Sequence, residues 1–285
     1  MSEHATVASH RLPAVLAAVL LCTGTAGASA QTTKETAQLP DFSSGNAGWV
    51  TIGVDWTAVP GAPKPVGCDP AHPCVGNNTG KQPTFKVADI NNPNLTPFAR
   101  ESLKTANEEV LHGKAMYARE ARCWATGVPA FLLNPGGPTY WLQTPDKIVM
   151  VWQLDHQVRH VYLNVPHSAN PKPSWYGESV GRYEGETLVV DTIGENSRTF
   201  VDNYRTPHSE KLHVVERYHL IDGGKMLEAN VTMEDPAIFI QPLQATHRWR
   251  RMQGTLLESS CAEGEMNNPF QQDAEPIPMA NKFDF

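Results

Sequence analysis

Glu216 is the residue whose surroundings most strongly suggest chemistry. Strand alternation in the run LHVVERYHLI places it on one face with the apolar Val214 and with Tyr218. A charged carboxylate among such neighbours is costly unless it is paired or protonated. Two hypotheses follow: Glu216 neutralises an arginine, such as Arg182 or Arg205, or it serves as a general acid or base that lines a cavity.

A second carboxylate and two histidines extend this candidate set. Asp191, in LVVDT, lies on the strand face of Val189 and Ile193, where it would act as an acid or brace the following turn. His167 in NVPHSAN and His208 in RTPHSEK follow prolines in loops at the rim of the sheet. A rigid scaffold can position such imidazoles as acid–base groups, because their unperturbed pKa is near neutrality; alternatively, each fixes its own loop by a hydrogen bond.

We predict that these four catalytic candidates share one polar pocket with Asp202 and Arg205. A histidine as base and a carboxylate as acid or orienting group would support hydrolysis or elimination on a small molecule, without a cofactor. Trp175 and Tyr183 fall in or beside strands and would favour an aromatic or apolar substrate. The alternative function is a non-catalytic carrier or sensor that binds an apolar molecule inside a barrel.

Two further motifs are weaker. Ser179 in Gly-Glu-Ser-Val-Gly imitates a nucleophile elbow, but that motif needs a strand–turn–helix and a strand follows here. His213 and His219 lie on the strand face opposite Glu216, where we expect a solvated surface.

The scaffold that must position these residues is predicted from Thr139 onward, where short β-rich runs alternate with turn residues. Eight strands in successive hairpins are expected, at Lys147–Leu154, Val158–Asn164, Ser179–Tyr183, Glu186–Ile193, Lys211–Asp222, Lys225–Glu234, Ala245–Met252 and Thr255–Ser259. The turns between paired strands are placed at Asp155-His156, Glu184-Gly185, Gly223-Gly224 and Gln253-Gly254. The pattern predicts a mainly β fold, an antiparallel up-and-down barrel or strongly curled sheet over residues 121–265, with a coil tail at 266–285.

Residues 31–120 are predicted to form a coil arm and one helix. The arm is dense in Pro, Gly, Asn and Thr and has few periodic apolar positions. The helix is expected from Pro97 to about Arg119, because Thr96 can cap it, Pro97 suits its first turn and Gly113 would weaken its end.

The N-terminus has the layout of a secretory signal peptide over residues 1–30. His10 and Arg11 precede an apolar run from Leu12 to Cys22, and small residues end at Ala30. That run is shorter than the roughly 20 residues that span a bilayer, so we expect no membrane span and a periplasmic or secreted protein. The net charge of −7 argues against a nucleic-acid partner and leaves a small molecule as the expected ligand.

Four cysteines follow the signal peptide: Cys68, Cys74, Cys123 and Cys261. In an oxidising compartment an even number indicates two disulfides, and we favour Cys68–Cys74 and Cys123–Cys261 among the three possible connectivities. Cys68 and Cys74 could also bind metal with His72. We predict no metal, because secreted thiolates seldom stay reduced and a fourth ligand with suitable spacing is missing.

The combination of WYGESVGRYEGETLVVDT with NYRTPHSEKLHVVERY resembles a group of secreted bacterial proteins. They share a WxGxSxGx(W/Y)EG(D/E)TLVVDT signature and a later Pro-His-Ser/Thr block, and the resemblance covers Arg122 to Cys261. It implies secretion and carries no activity onto these positions. The strand layout is also similar to lipocalin-like barrels, which is an analogy of fold alone.

Overall fold

Nine strands close into a barrel, because alternate residues along them are apolar and one face of the sheet is thereby buried away from water. The computed structural model describes residues 39–43, 47–74, 86–112, 124–133, 137–153 and 157–258. The barrel strands are β1 (Ala47–Thr51), β3 (Thr139–Gln143), β4 (Lys147–Trp152), β5 (Val158–Leu163), β6 (Glu178–Glu184), β7 (Thr187–Ile193), β8 (His213–Ile221), β9 (Met226–Glu234) and β10 (Leu243–Gln253). A two-residue strand, β2 (Thr57–Ala58), pairs with the start of β10, and β1 pairs with the rest of β10 to close the ring.

Three of the four predicted hairpins are present, β4–β5, β6–β7 and β8–β9, and the predicted barrel with one helix is confirmed. Gly185 and Gly223 adopt positive φ angles of 61° and 60° at their turns, a conformation that glycine reaches without a Cβ clash. The predicted turn at Asp155-His156 lies outside the described residues.

One neighbouring pair of strands departs from the predicted antiparallel order. Strands β5 and β6 are parallel, with Val161 opposite Ser179. The chain after β5 therefore returns along the barrel before β6 begins, instead of turning back in a hairpin. Two backbone hydrogen bonds hold this crossover against the barrel, Asn164 N–H to Gly181 O (2.8 Å) and Ser174 N–H to Gly194 O (3.0 Å).

The strand predicted at Thr255–Ser259 is wrong for its described part, because residues 254–258 form no strand. The expectation that the arm is only coil is also wrong. The arm supplies β1, which pairs with the last five residues of β10 and so occupies the edge that a final hairpin would have needed.

The helix α1 extends from Pro97 to Leu111. Thr96 accepts a hydrogen bond from the backbone N–H of Ala99 (3.2 Å), as the sequence predicts for its start. Its end lies before the predicted Arg119, and His112 donates its backbone N–H to the last turn. No helix in the described ranges is long and apolar enough to cross a membrane.

The disulfide predicted between Cys68 and Cys74 is present and packs against the core. The second predicted disulfide, Cys123–Cys261, lies outside the described residues.

Candidate functional site

The crossover between β5 and β6 places His167 on the outer surface of the barrel. Because this segment passes over the outward side chains of β6 and β7, His167 reaches Glu178 on the first strand and Asp191 on the second. His213 approaches the same Asp191 from β8, where Val215 is the residue directly opposite Asp191. Glu234 lies directly opposite His213 on β9.

These five residues form what we call the outer His–Asp cluster: Glu178, His167, Asp191, His213 and Glu234. Its centre is Oδ1 of Asp191, which is 2.8 Å from Nε2 of His167 and 3.1 Å from Nε2 of His213. Nδ1 of His167 is 3.1 Å from Oε1 of Glu178. One carboxylate therefore orients two imidazole rings, which is the arrangement that fixes a tautomer in acid–base sites.

The charges of the cluster shift the pKa values of its members in opposite directions. The hydrogen bond to Asp191 raises the pKa of His213, although partial burial opposes the shift. The hydrogen bond from His213 lowers the pKa of Asp191, again against partial burial. The hydroxyl and backbone N–H of Ser168 lower the pKa of Glu178. The cluster thus combines two carboxyl groups whose pKa values are lowered, Asp191 and Glu178, with a histidine whose pKa is raised.

His213 differs from His167 in what its second nitrogen meets. Nδ1 of His213 is 3.6 Å from Oε2 of Glu234, which is longer than a hydrogen bond, and the His213 side chain is 36% exposed. Both nitrogens of His167 are within hydrogen-bonding distance of carboxylates, and its side chain is 22% exposed. His213 is therefore the more exposed of the two imidazoles, with a longer contact at its second nitrogen, and His167 braces Asp191 from the other side.

Glu216 lies on the opposite face of the same two strands. It stands opposite Val190, whereas Asp191 stands opposite Val215, so Glu216 points into the barrel and Asp191 points out. The predicted single pocket with Glu216, His167 and Asp191 is therefore corrected: strand alternation separates the two carboxylates by the thickness of the sheet.

The partner of Glu216 is Arg159 on β5. Both side chains have no exposed surface, Nη1 of Arg159 donates to Oε1 of Glu216 at 2.9 Å, and Nη2 donates to Oε2. Nη2 also donates to the hydroxyl oxygens of Ser179 (3.2 Å) and Thr192 (2.9 Å), and Tyr218 donates to Glu216 (2.8 Å). Burial is the largest single influence on Arg159 and opposes its charge, but the attraction and hydrogen bonds of Glu216, together with Tyr218 and Glu195, outweigh it and raise the Arg159 pKa.

This network assigns Glu216 to the ion-pair hypothesis with a different arginine from those proposed. Arg182 is an exposed partner of Glu184 (2.6 Å), and Arg205 donates to the backbone oxygen of Ala106 in α1 (2.5 Å). Ser179 accepts hydrogen bonds from Arg159 and has no neighbouring base among the contacts of the described residues.

His208 and Asp202 have structural contacts in the loop between β7 and β8. His208 is 4% exposed, and its Nε2 is 2.6 Å from the hydroxyl of Thr199. Asp202 accepts the backbone N–H groups of Tyr204 (2.9 Å) and Thr206 (3.0 Å), which shape the turn around them. Neither residue contacts the outer His–Asp cluster, so the predicted polar ring of Asp202, Arg205 and the two histidines is not formed.

The two aromatic candidates are also apart from the cluster. Trp175 packs against Trp124, with ring centroids 5.8 Å apart, and beneath the guanidinium of Arg198. The hydroxyl of Tyr183 accepts a hydrogen bond from Gln143 (2.9 Å) at the opposite end of the barrel.

His213, Glu178 and Glu234 are the cluster members that the sequence prediction did not select. The signal that could have found them is strand pairing, because Glu234 faces His213 across a tight hairpin that the Gly223-Gly224 turn specifies. The pairing of β7 with β8 has no such local signal, since a long loop joins the two strands.

Within the described part of the chain, no group of three or more histidine, cysteine, aspartate or glutamate side chains has the geometry to hold a metal ion. No protein-family model, curated protein or solved structure matches this sequence.

Proposed function

We propose that this protein is a cofactor-independent acid–base catalyst that acts on a small organic molecule at the outer His–Asp cluster. One observation carries the proposal: Asp191 holds Nε2 of His213 at 3.1 Å, while Nδ1 of the same half-exposed ring has a longer contact, 3.6 Å, with the exposed carboxylate of Glu234. An imidazole that is oriented at one nitrogen, and whose other nitrogen meets a surface side chain that can move, can take up and return a proton.

The chemistry follows from these contacts. In its neutral form, His213 accepts a proton at Nδ1 from a bound water or from an acidic C–H of the substrate. Asp191 stabilises the imidazolium that results, and His213 then donates the proton to the leaving group. Attack by the activated water gives hydrolysis, and removal of the substrate proton gives elimination. Glu234, whose side chain is 51% exposed, is free to move away from Nδ1 when a substrate binds.

The surroundings of the cluster favour a neutral or cationic molecule with an apolar part. Asp191 lies between Val180 on β6 and Val215 on β8, both half-buried on the outer face, so apolar surface adjoins the polar atoms. The carboxylates of Glu178, Asp191 and Glu234 would repel an anion.

We further propose that the protein works in the periplasm or outside the cell. The Cys68–Cys74 disulfide supports this compartment, because such bonds persist where the surroundings are oxidising.

The test is a pH–rate profile of the wild type and of two histidine variants on a panel of neutral aromatic esters and β-substituted ketones. His213→Asn should lower kcat/KM by about 100-fold or more on whichever substrate is turned over, because the general base is lost. The matched control is His219→Asn, since His219 is on the same strand face and pairs with Glu228 at 3.2 Å. Equal activity in both variants would refute the assignment.

A further inference from the structure

The barrel interior contains a small cavity that is separate from the outer His–Asp cluster. Its volume is about 10 Å³, which is about what one water molecule needs. Its walls are largely aromatic, with Trp49, Trp141 and Trp249 from three barrel strands and Leu227 from a fourth. In the described state the cavity is therefore too small for an organic ligand.

Two residues that line this cavity, Phe131 and Leu132, do not belong to the barrel. They lie in residues 124–133, which we call the plug. Its last four residues, Ala130–Leu133, form a short 3-10 helix. Phe131 is 2% exposed and meets the ring of Tyr176 edge-on at 5.7 Å. The plug thus fills the end of the barrel with its own aromatic side chain.

Side chains from two loops at one end of the barrel attach the plug. Oε1 of Glu195, just after β7, accepts the backbone N–H of Val128 at 2.5 Å. Oε1 of Gln157, just before β5, accepts the backbone N–H and the hydroxyl of Thr126, both at 3.3 Å. The backbone hydrogen bonds of the plug's own 3-10 turn, such as Phe131 N–H to Gly127 O (2.8 Å), stay inside the plug. Its displacement would leave every strand pair of the barrel intact.

An unpaired donor lies beside this end of the barrel. The indole N–H of Trp152 is buried without a hydrogen-bond partner, and Trp152 is the cross-strand neighbour of the cavity-lining Thr139. The backbone N–H of Trp152 is bonded to the backbone oxygen of Gln157 (2.9 Å), so Trp152 adjoins a residue that attaches the plug. A buried donor without a partner carries a desolvation cost, which a hydrogen bond to a ligand acceptor would offset.

We propose that the plug covers a binding site for a small aromatic molecule with one hydrogen-bond acceptor, such as a carbonyl oxygen. The ligand enters when residues 124–133 move outward and its ring takes the place of Phe131 between the tryptophans. Its acceptor receives the indole N–H of Trp152. A dry aromatic cavity near 150 Å³ is sufficient for a molecule of the size of benzene, so vacating Phe131 makes adequate room.

The experiment measures binding of acetophenone and of ethylbenzene, a control of similar shape without the carbonyl, by calorimetry and by the indole N–H resonances. Acetophenone should bind the wild type or the Gln157→Ala variant with 1:1 stoichiometry and shift the Trp152 resonance, which is identified by its loss in Trp152→Phe. Gln157→Ala should bind about five- to tenfold more tightly than the wild type, because opening the plug then breaks fewer hydrogen bonds. Trp152→Phe should weaken acetophenone binding about fivefold and leave ethylbenzene binding unchanged.

A matched control tests where the ligand enters. Gln143→Ala removes a glutamine that makes similar hydrogen bonds to Phe42 (2.7 Å), Pro40 (3.0 Å) and Tyr183 (2.9 Å) at the other end of the barrel. Tighter binding in Gln143→Ala and not in Gln157→Ala would overturn the plug as the entrance. Absence of acetophenone binding in both the wild type and Gln157→Ala would overturn the site itself, and an equal loss of both ligands in Trp152→Phe would overturn the acceptor contact. None of these outcomes depends on the activity proposed for His213.

Discussion

The two faces of the β7–β8 pair carry the same kind of interaction with opposite consequences. Inside the barrel, Glu216 binds Arg159, and neither side chain has exposed surface. Outside, Asp191 binds His167 and His213, and these three side chains are between 22% and 36% exposed. An arginine stays charged at any ordinary pH and the donors of Arg159 are occupied, whereas a histidine changes charge near neutrality, and Nδ1 of His213 meets the exposed carboxylate of Glu234 at 3.6 Å. The interior pair is built for stability, and the outer cluster is suited to proton transfer.

The largest expected effect comes from breaking the interior pair. Glu216→Gln should lower the free energy of unfolding by about 3 kcal/mol, because Arg159 would remain charged and buried with no carboxylate. Urea unfolding at pH 7 measures this loss.

The matched control for that change is Glu195→Gln. Glu195 is equally buried, but burial raises its pKa well above the ordinary value, and one of its oxygens has no hydrogen-bond partner. A neutral amide keeps an oxygen that can accept the N–H of Val128. It also replaces a carboxyl group whose buried site disfavours the charged form, so this variant should be at least as stable as the wild type at pH 7. If both variants lose equal stability, the Arg159–Glu216 pair is not the source of the effect.

Thr192 and Asp191 are consecutive residues that separate the two faces more finely. Thr192→Val should lower the free energy of unfolding by about 1–2 kcal/mol, because the hydroxyl accepts a hydrogen bond from the buried guanidinium of Arg159. Asp191→Asn should cost less than about 1 kcal/mol, since its charge contacts are partly exposed and screened by solvent. A larger loss in Asp191→Asn than in Thr192→Val would reverse the roles given to the two faces.

The same pair of residues shows how far the sequence alone could go. Period-2 alternation correctly places Asp191 and Thr192 on different faces of the sheet, and likewise His213 and Glu216. The glycine turns at Gly185 and Gly223 correctly predict two local hairpins, whereas the one at Gly254 does not. Alternation does not say which of two faces is inside, and the sequence prediction placed Asp191 in one pocket with Glu216. Three features could not be predicted, because each depends on contacts between distant segments for which no turn residue sets the register. They are the parallel pairing of β5 with β6, the strand β1 and the partner of Glu216.

A smaller effect concerns the charge of His213. The hydrogen bond to Asp191 raises the pKa of His213, so Asp191→Asn should lower that pKa toward its ordinary value near 6.5. The shift is followed by titrating the imidazole C–H resonances by NMR, with His219 as the internal reference because its partner Glu228 is unchanged. If His213 titrates identically in the wild type and in Asp191→Asn, the two side chains are not coupled, and the outer cluster loses the feature on which the proposed catalysis depends.

The smallest expected effect is the dependence of stability on pH. The raised pKa of His213 contributes stability that is fully present below about pH 6.5 and is lost as the pH rises through the folded-state pKa. The lowered pKa of Asp191 contributes stability that is present above about pH 4 and is lost as the pH falls through its folded-state value. The outer cluster is therefore most stabilising between these limits, by less than about 1 kcal/mol after solvent screening.

The pH dependence of stability that comes from the outer cluster must be separated from the one that comes from Glu195. The raised pKa of Glu195 also lowers stability as the pH rises above about 4.5. Urea unfolding at pH 6 and pH 9 in the Glu195→Gln background, with and without Asp191→Asn, removes the second contribution. The decrease in the free energy of unfolding from pH 6 to pH 9 should be smaller when Asp191 is replaced by Asn. Arg159→Met combined with Glu216→Leu in the same background should leave that decrease unchanged, because Arg159 stays charged across this range and the pair lies on the other face of the sheet from the outer cluster. The opposite result would place the proton exchange inside the barrel. In that case the pH dependence of stability would disappear in the variant without the interior pair and persist in Asp191→Asn.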